Sequence, residues 1–382
     1  MKKLLFLIPL MIVFISACGD VNTTESKTFT EDNSTSQPIN PDDNNDNQTN
    51  PGGDGEGGET TDPENPADKP GYDITFNAKT DVFQPQYYYG RSLLSEEEQK
   101  AYDLLMKTFI EFEVTEANKS NTRIGANFQN NGIRITYDQL VKIAQYILYD
   151  EQRLTYLITS YVPKGSASGQ PGRPAEYEGQ YVVEAYFDVM GMLMSTAKAI
   201  YNYQGGLIET GAQEILKHLK GDMTEAQKFR VIHDEFIKSV SYGQQSYGVS
   251  DIRGGFGPDK KVLCEGYARS LAYLCQRAGL EVIYIVGTAT YNGTGSSDIT
   301  GFDHAWIKVK IDGQWYNVDP TNNDAVVTGS DKVFYNNFLQ TDSEFFVDHI
   351  QGQMRDGKPV SYDEFPQSAL ESYLLDMTEY TK

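Results

Sequence analysis

The chain has 382 residues, room for one large domain or two ordinary ones. Its 54 acidic residues outnumber the 32 basic ones, leaving a formal net charge of −22. That balance excludes a nucleic-acid partner, whose phosphates require clustered Lys and Arg, and suits a soluble, self-repelling surface protein.

Lys2 and Lys3 precede an apolar run, Leu4 to Ile15, that is too short for a mature membrane-spanning helix. Ser16 and Ala17 then lead into Cys18. The arrangement resembles a bacterial lipobox, so residues 1–17 are expected to be a signal peptide and Cys18 the lipidated mature N-terminus. The expected address is the extracytoplasmic face of a bacterial cell membrane, held by lipid. Residues 18–71 are rich in Asn, Asp, Thr, Gly and Pro with almost no aliphatic side chains, and are expected to form a disordered acidic linker.

A mainly helical region is expected over 72–205. Asp73 to Gln86 reads as extended. Ser95 followed by Glu98 forms a capping-box signature, and Tyr102, Leu105, Met106 and Phe109 continue at helical spacing. A second helix is predicted from Tyr137 to Tyr149, with a short extended piece at Gly132 to Thr136. Leu154 to Tyr161 reads as a strand, and Lys164 to Pro174 as an exposed loop. Tyr181 to Tyr203 is predicted as one long helix whose Met190, Met192 and Met194 serve core packing.

The domain expected over 206–382 opens with a helix from Met223 to Val240; His233 within it is given no role. Ser241 to Pro258 reads as a Gly-rich loop. In the run Lys260 to Gly279, Leu263, Tyr267, Leu271, Leu274, Cys275 and Ala278 recur at spacings of three and four, one buried helical face closed by a glycine. Cys264 falls in the first turn, where N–H groups and the helix dipole favour the thiolate. Cys275 lies three turns on, about 16 Å along the axis, too far for a disulfide with Cys264. Glu281 to Thr288 reads as a buried strand and Tyr291 to Gly301 as a polar loop.

His304 to Pro320 alternates around Asp312-Gly313, a strong hairpin signal. A two-residue turn there pairs Ile311 with Gln314, Val309 with Tyr316, Ile307 with Val318 and Trp306 with Asp319. Ile307, Val309, Tyr316 and Val318 then form a core face. His304, Trp306, Trp315, Asn317 and Asp319 share the other, with His304 and Asp319 as diagonal neighbours. A thiol at a helix start, an imidazole and a carboxylate supply a nucleophile, a base and a group to orient the base. The N–H of Cys264 can stabilise an oxyanion, with Gln244, Gln245, Tyr247 and Trp306 all open as a second donor. Trp306, Trp315 and Tyr247 are candidate substrate contacts. Asp342, Glu344 and Asp348 read as solvated surface. The histidines and cysteines lack zinc-ligand spacing, so no metal and no cofactor is expected.

The motifs V-L-C-E-G-Y-A at Cys264, G-F-D-H-A-W at His304 and W-Y-N-V-D-P-T at Asp319 resemble the transglutaminase-like superfamily across about Asp222 to Leu339. The resemblance implies an α+β, papain-like core in which a nucleophile helix packs on an antiparallel sheet. It also implies a catalytic set of Cys264, His304 and Asp319. Asn322 departs from an aromatic that many bacterial members carry there. The implied function is a cell-surface lipoprotein with a cysteine acyl-transfer or hydrolase domain, acting on amide bonds of peptide or protein substrates at the cell envelope through a Cys264 thioester. The alternative is a non-catalytic binding or structural module on the same fold.

Overall fold

Helix and strand boundaries follow local chemistry through most of the chain. A computed structural model describes residues 88–166, 172–244, 247–290, 301–324 and 333–373. The expected signal peptide, Cys18, the linker, the extended piece Asp73–Gln86, Gln245 and most of the Tyr291–Gly301 loop lie outside the described residues.

After a short helix α1 (Tyr89–Ser92), α2 (Glu96–Ile110) starts at the Ser95 cap, with Glu98 completing the capping box. Strand β1 is Arg123–Asn127, and Thr136 with Gln139 caps α3 (Tyr137–Asp150). The extended piece expected at Gly132–Thr136 is therefore displaced: the strand falls earlier, and Gly132 turns the chain at φ +68°. Leu154–Tyr161 is not a strand either. Gln152–Leu154 forms a single 3-10 turn, and Ile158 makes only an isolated bridge to Val189. Leu154, Leu157 and Ile158 are spaced by three and one, and a turn buries all of them where a strand would split them between faces.

The helix predicted over Tyr181–Tyr203 is the largest correction. After β2 (Glu176–Tyr177), the predicted span instead carries β3 (Tyr181–Val182) and β4 (Glu184–Asp188), and helix α4 begins only at Met194 and runs to Leu216. Ala185, Phe187 and Val189 are buried at a spacing of two, which is strand periodicity. Gly191 at φ +64° then breaks the chain before α4. Strand β4 pairs antiparallel with β1. Met194 is buried, and Met190 and Met192 pack against the core as expected. Helix α4 carries the chain unbroken through residues 205 and 206, where a domain boundary was expected.

Next come α5 (Glu225–Ser239), β5 (Ser241–Tyr242), α6 (Ile252–Phe256), β6 (Lys261–Val262), α7 (Cys264–Arg277), β7 (Val282–Ala289), β8 (Phe302–Ile311), β9 (Gln314–Val318), α8 (Asp342–Phe345) and β10 (His349–Gln351). The stretch expected as a loop after α5 thus carries one turn of helix and a short parallel pairing of β5 with β6. The central sheet runs β10-β7-β8-β9, antiparallel throughout. The hairpin register is the one predicted, with Ile307 opposite Val318 and Val309 opposite Tyr316. Asp312 and Gly313 both hold positive φ, at 51° and 79°.

Val282, Tyr284, Ile307 and Val309 face α7, sharing a core with Tyr267, Leu271 and Leu274. The opposite face is not open. Ile283, Ile285 and Trp306 share a second core with Leu140, Ile143 and Ile147 of α3. The expectation of one core face is corrected: the region preceding the α5–β10 core covers the other. Mixed helix and strand with α7 packed on an antiparallel sheet is the fold class observed. Among the described residues no helix is long and apolar enough to cross a membrane.

Candidate active site

Cys264 is the first residue of α7 and is 1% exposed, packed with Leu263 and Val249. The chain at Val249 lies across this helix start. Leu263 N–H donates to the Val249 carbonyl at 2.9 Å. A Cβ on Gly266 would come within 2.2 Å of that same oxygen, so only glycine permits the approach. The glycine two residues after the cysteine thus has a steric cause. Glu265 accepts from Arg269 at 3.0 Å and from Tyr284 at 3.2 Å. Arg269 also donates to Gln152 at 2.8 Å, tying α7 to the region before it. Cys275 is buried on the same helix, and burial pushes its thiol well above the ordinary range. Neither cysteine is in a disulfide.

His304 sits on β8, the strand against which α7 packs, opposite Gly287 of β7. Its Nε2 lies 2.8 Å from Asp319 Oδ2, just beyond the end of β9. The hairpin register alone brings these two groups together. The other carboxylate oxygen, Oδ1, accepts from the backbone N–H groups of Thr321 at 2.9 Å and Asn322 at 3.2 Å. Asn322 therefore contributes a main-chain donor that any non-proline residue supplies. Burial alone would raise the Asp319 carboxyl, but the imidazoles of His304 and His349 outweigh it and hold the group well below the usual carboxylate range.

His349 was not foreseen as part of the site. Its Nε2 lies 3.3 Å from the same Asp319 Oδ2, and its Nδ1 lies 2.6 Å from Asp348 Oδ1. Burial would lower this imidazole; the hydrogen bond and charge of Asp319, with Asp348 behind, raise it above the ordinary histidine value. Strand β10 pairing with β7 delivers His349, and no sequence spacing announces that contact. A Cβ on Gly287 would meet the Ile350 carbonyl at 2.1 Å, so this glycine lets β10 close on the sheet.

Trp306 is fully buried beside these groups, with ring centroids 6.2 Å from His304, 5.1 Å from His349 and 5.6 Å from Phe345. Its indole N–H has no hydrogen-bond partner among the described residues. Trp315 stands elsewhere. It pairs with Lys310 next to the turn, roughly 20 Å along β8 from His304, and its ring packs on Tyr89. Tyr247 is exposed, with Arg253 over its ring at 4.3 Å. Gln244 is exposed just after β5.

Of the acidic residues expected as solvated surface, Glu344 is exposed as expected, whereas Asp342 and Asp348 hold buried partners. Asp342 accepts from Lys308 at 2.8 Å and from Asn317 at 2.8 Å, Glu344 completes the cap of α8, and Asp348 holds His349. Lys308, Asn317 and His349, the partners of Asp342 and Asp348, sit on buried positions of the sheet, which a reading of local charge does not reveal. His304, Asp319 and His349 each offer one potential ligand atom within 4.8 Å of the others. Both Nε2 atoms, however, converge on one carboxylate oxygen lying between them.

Residues 213–320 match the family model described as the transglutaminase-like superfamily, a span containing Cys264, His304 and Asp319. The chain is 28% identical over 156 residues to kyphoscoliosis peptidase of Mus musculus and 29% identical over 155 residues to that of Homo sapiens. Each match covers 37% of this chain and 23% of the relative, so the chain spans about a quarter of the relatives' length. A solved crystal structure of a TGase is 16% identical, covering 55% of this chain and 52% of that one at a TM-score of 0.25. Residues 213–320 are a transglutaminase-like domain.

Proposed function

We propose that this domain is a cysteine acyl-transferase or hydrolase acting on amide bonds of peptide or protein substrates. Cys264 is the nucleophile, His304 the base and Asp319 the group that orients the base. The observation that carries the reading is the buried 2.8 Å contact between His304 Nε2 and Asp319 Oδ2. It leaves Nδ1 as the imidazole nitrogen for proton exchange with a thiol. The thiolate attacks the amide carbonyl carbon, and the N–H of Cys264 at the helix start stabilises the oxyanion. The C–N bond breaks, the amine leaves with the proton from His304, and a thioester remains. Water or a primary amine then attacks the thioester, gives a proton to His304 and releases the thiolate. The name of the curated relatives, a peptidase, favours water.

The setting proposed is the outer face of a bacterial cell membrane, with Cys18 lipidated and an acidic linker reaching envelope substrates; the lipobox and the composition of residues 18–71 support it. A second reading is a non-catalytic binding or structural module. It is favoured by the sealing of the set, since Cys264 and His304 are each 1% exposed. Incubating the purified full chain with peptide and primary-amine libraries, read by mass spectrometry, separates the two. A covalent adduct on Cys264, with cleaved or amine-linked peptide that disappears in Cys264→Ala, supports the enzyme. Peptide capture that is identical in Cys264→Ala supports the module.

A further inference from the structure

We propose that His349 is a positioning residue for this site, a second imidazole that clamps Asp319 alongside His304. The role rests on the catalytic reading of Cys264, His304 and Asp319 given above. His349 is 2% exposed and stacks on Phe345, ring centroids 4.0 Å apart at 28°. Trp306 closes its other flank edge-on at 74°. The ring is thus fixed in plane, and both of its nitrogens are aimed at carboxylates: Nδ1 at Asp348 and Nε2 at Asp319. A neutral imidazole can donate to only one of two such acceptors, whereas an imidazolium donates to both. Burial without charge would favour the neutral form, but two flanking carboxylates reverse that preference.

The consequence falls on Asp319. Its Oδ2 is shared between two imidazoles, and its Oδ1 takes two backbone N–H groups. Four contacts leave the carboxylate no free rotation, so the plane of His304 is fixed through it. The titratable groups facing His349 are Asp348 beside it, Asp319 after β9 and His304 on β8. A protonated His349 offsets part of the Asp319 charge and donates to its Oδ2. Removing the charge of His349 while keeping its donor therefore leaves Asp319 held in place. Removing the donor as well frees Asp319 to turn.

The test is the alkylation rate of Cys264 by iodoacetamide against pH, read by peptide mass spectrometry on the full chain, in wild type, His349→Gln and His349→Phe. Glutamine reaches to the Nε2 position with an uncharged N–H. The expected result for H349Q is a plateau rate within about twofold of wild type, because the donor to Asp319 is kept. H349F should lose about tenfold in plateau rate. A reactive Cys264 whose plateau and pH profile are unchanged in both variants overturns the role of His349 alone. A wild-type Cys264 that never labels overturns the catalytic reading beneath it. A second arm covers misfolding of the variants: ¹⁵N-histidine NMR of the wild type, assigned with H349Q, should show both His349 nitrogens protonated at pH 7. One bare nitrogen there overturns the clamp.

Discussion

His304 and Asp319 meet at 2.8 Å although fifteen residues separate them, and no loop has to be placed for the contact to form. The turn at Asp312-Gly313 sets the register, and the register sets the pair. Asp319→Asn should therefore leave the hairpin in place but slow Cys264 alkylation at neutral pH by about tenfold or more, one pKa unit of lost ion-pair support. The sign for stability follows from the lowered Asp319 carboxyl. Its contribution is present above the unfolded value of about 3.9 and is lost as pH falls through the folded value. Urea titrations should show the wild-type advantage over D319N shrinking below about pH 4. An advantage constant with pH would contradict the buried ion pair.

Lys308 is fully buried and its ammonium lies 2.8 Å from Asp342, with the Pro366 carbonyl at 2.7 Å. Burial lowers this lysine, and Asp342 works against that. Asp342→Ala strands a cation inside the sheet and should cost about 3 kcal/mol. Lys308→Met in the same background should recover much of the loss. Chemical denaturation of the two variants reads both numbers, and no recovery in the double variant would argue that Asp342 acts through Ser368 or Asn317 instead.

Two buried histidines should give opposite pH slopes. His233, hydrogen-bonded to Asp234 at 2.9 Å, is lowered, burial being the main cause. Its stabilising contribution is present above the unfolded value of about 6.5 and fades as pH falls below it. His349 is raised by its carboxylates against burial, so its contribution is present below about 6.5 and fades as pH rises through the folded value. The stability gap between wild type and His233→Gln should thus narrow toward acid, and the gap to His349→Gln toward base. Parallel curves for the two variants would refute both assignments.

Gly313 holds φ +79° with open space where a Cβ would go. Gly313→Ala should cost about 1 kcal/mol through backbone strain alone. Because the cost is local, Cys264 reactivity should stay at the wild-type level. A reactivity change larger than about twofold would mean that the turn, and not only the ladder it starts, controls the site.

How much of this was legible in the sequence depended on range. The capping box at Ser95, the amphipathic face of α7 and the turn at Asp312-Gly313 are local signals, and the elements formed where they pointed. Residues 181–203 misled because Ala185, Phe187 and Val189 fit a strand face while the methionines beyond suggested a helix. Only the pairing of β4 with β1, fifty-odd residues away, decides between them. His349 and Asp342 were missed for the same reason. Each acts on a residue of another element, His349 on Asp319 and Asp342 on Lys308, and neither contact leaves a periodic trace. Burial of the second sheet face was likewise invisible, since α3 supplies it from far upstream.

The central claim is that α7 carries one activated thiol and one inert one. Cys264 stands in the first turn, where N–H groups favour the anion, and α7 packs on the strand of His304. Cys275 lies among Leu271, Leu274 and Ala278, where burial pushes the thiol up. The direct measurement is alkylation rate against pH at each cysteine, resolved by mass spectrometry, in wild type and in His304→Ala. The account predicts labelling of Cys264 near neutral pH with Cys275 untouched. In the variant, the Cys264 profile should move toward the ordinary thiol value of about 8.5 and Cys275 should not change. Equal labelling of the two cysteines at neutral pH, or a Cys264 profile indifferent to the loss of His304, would contradict it.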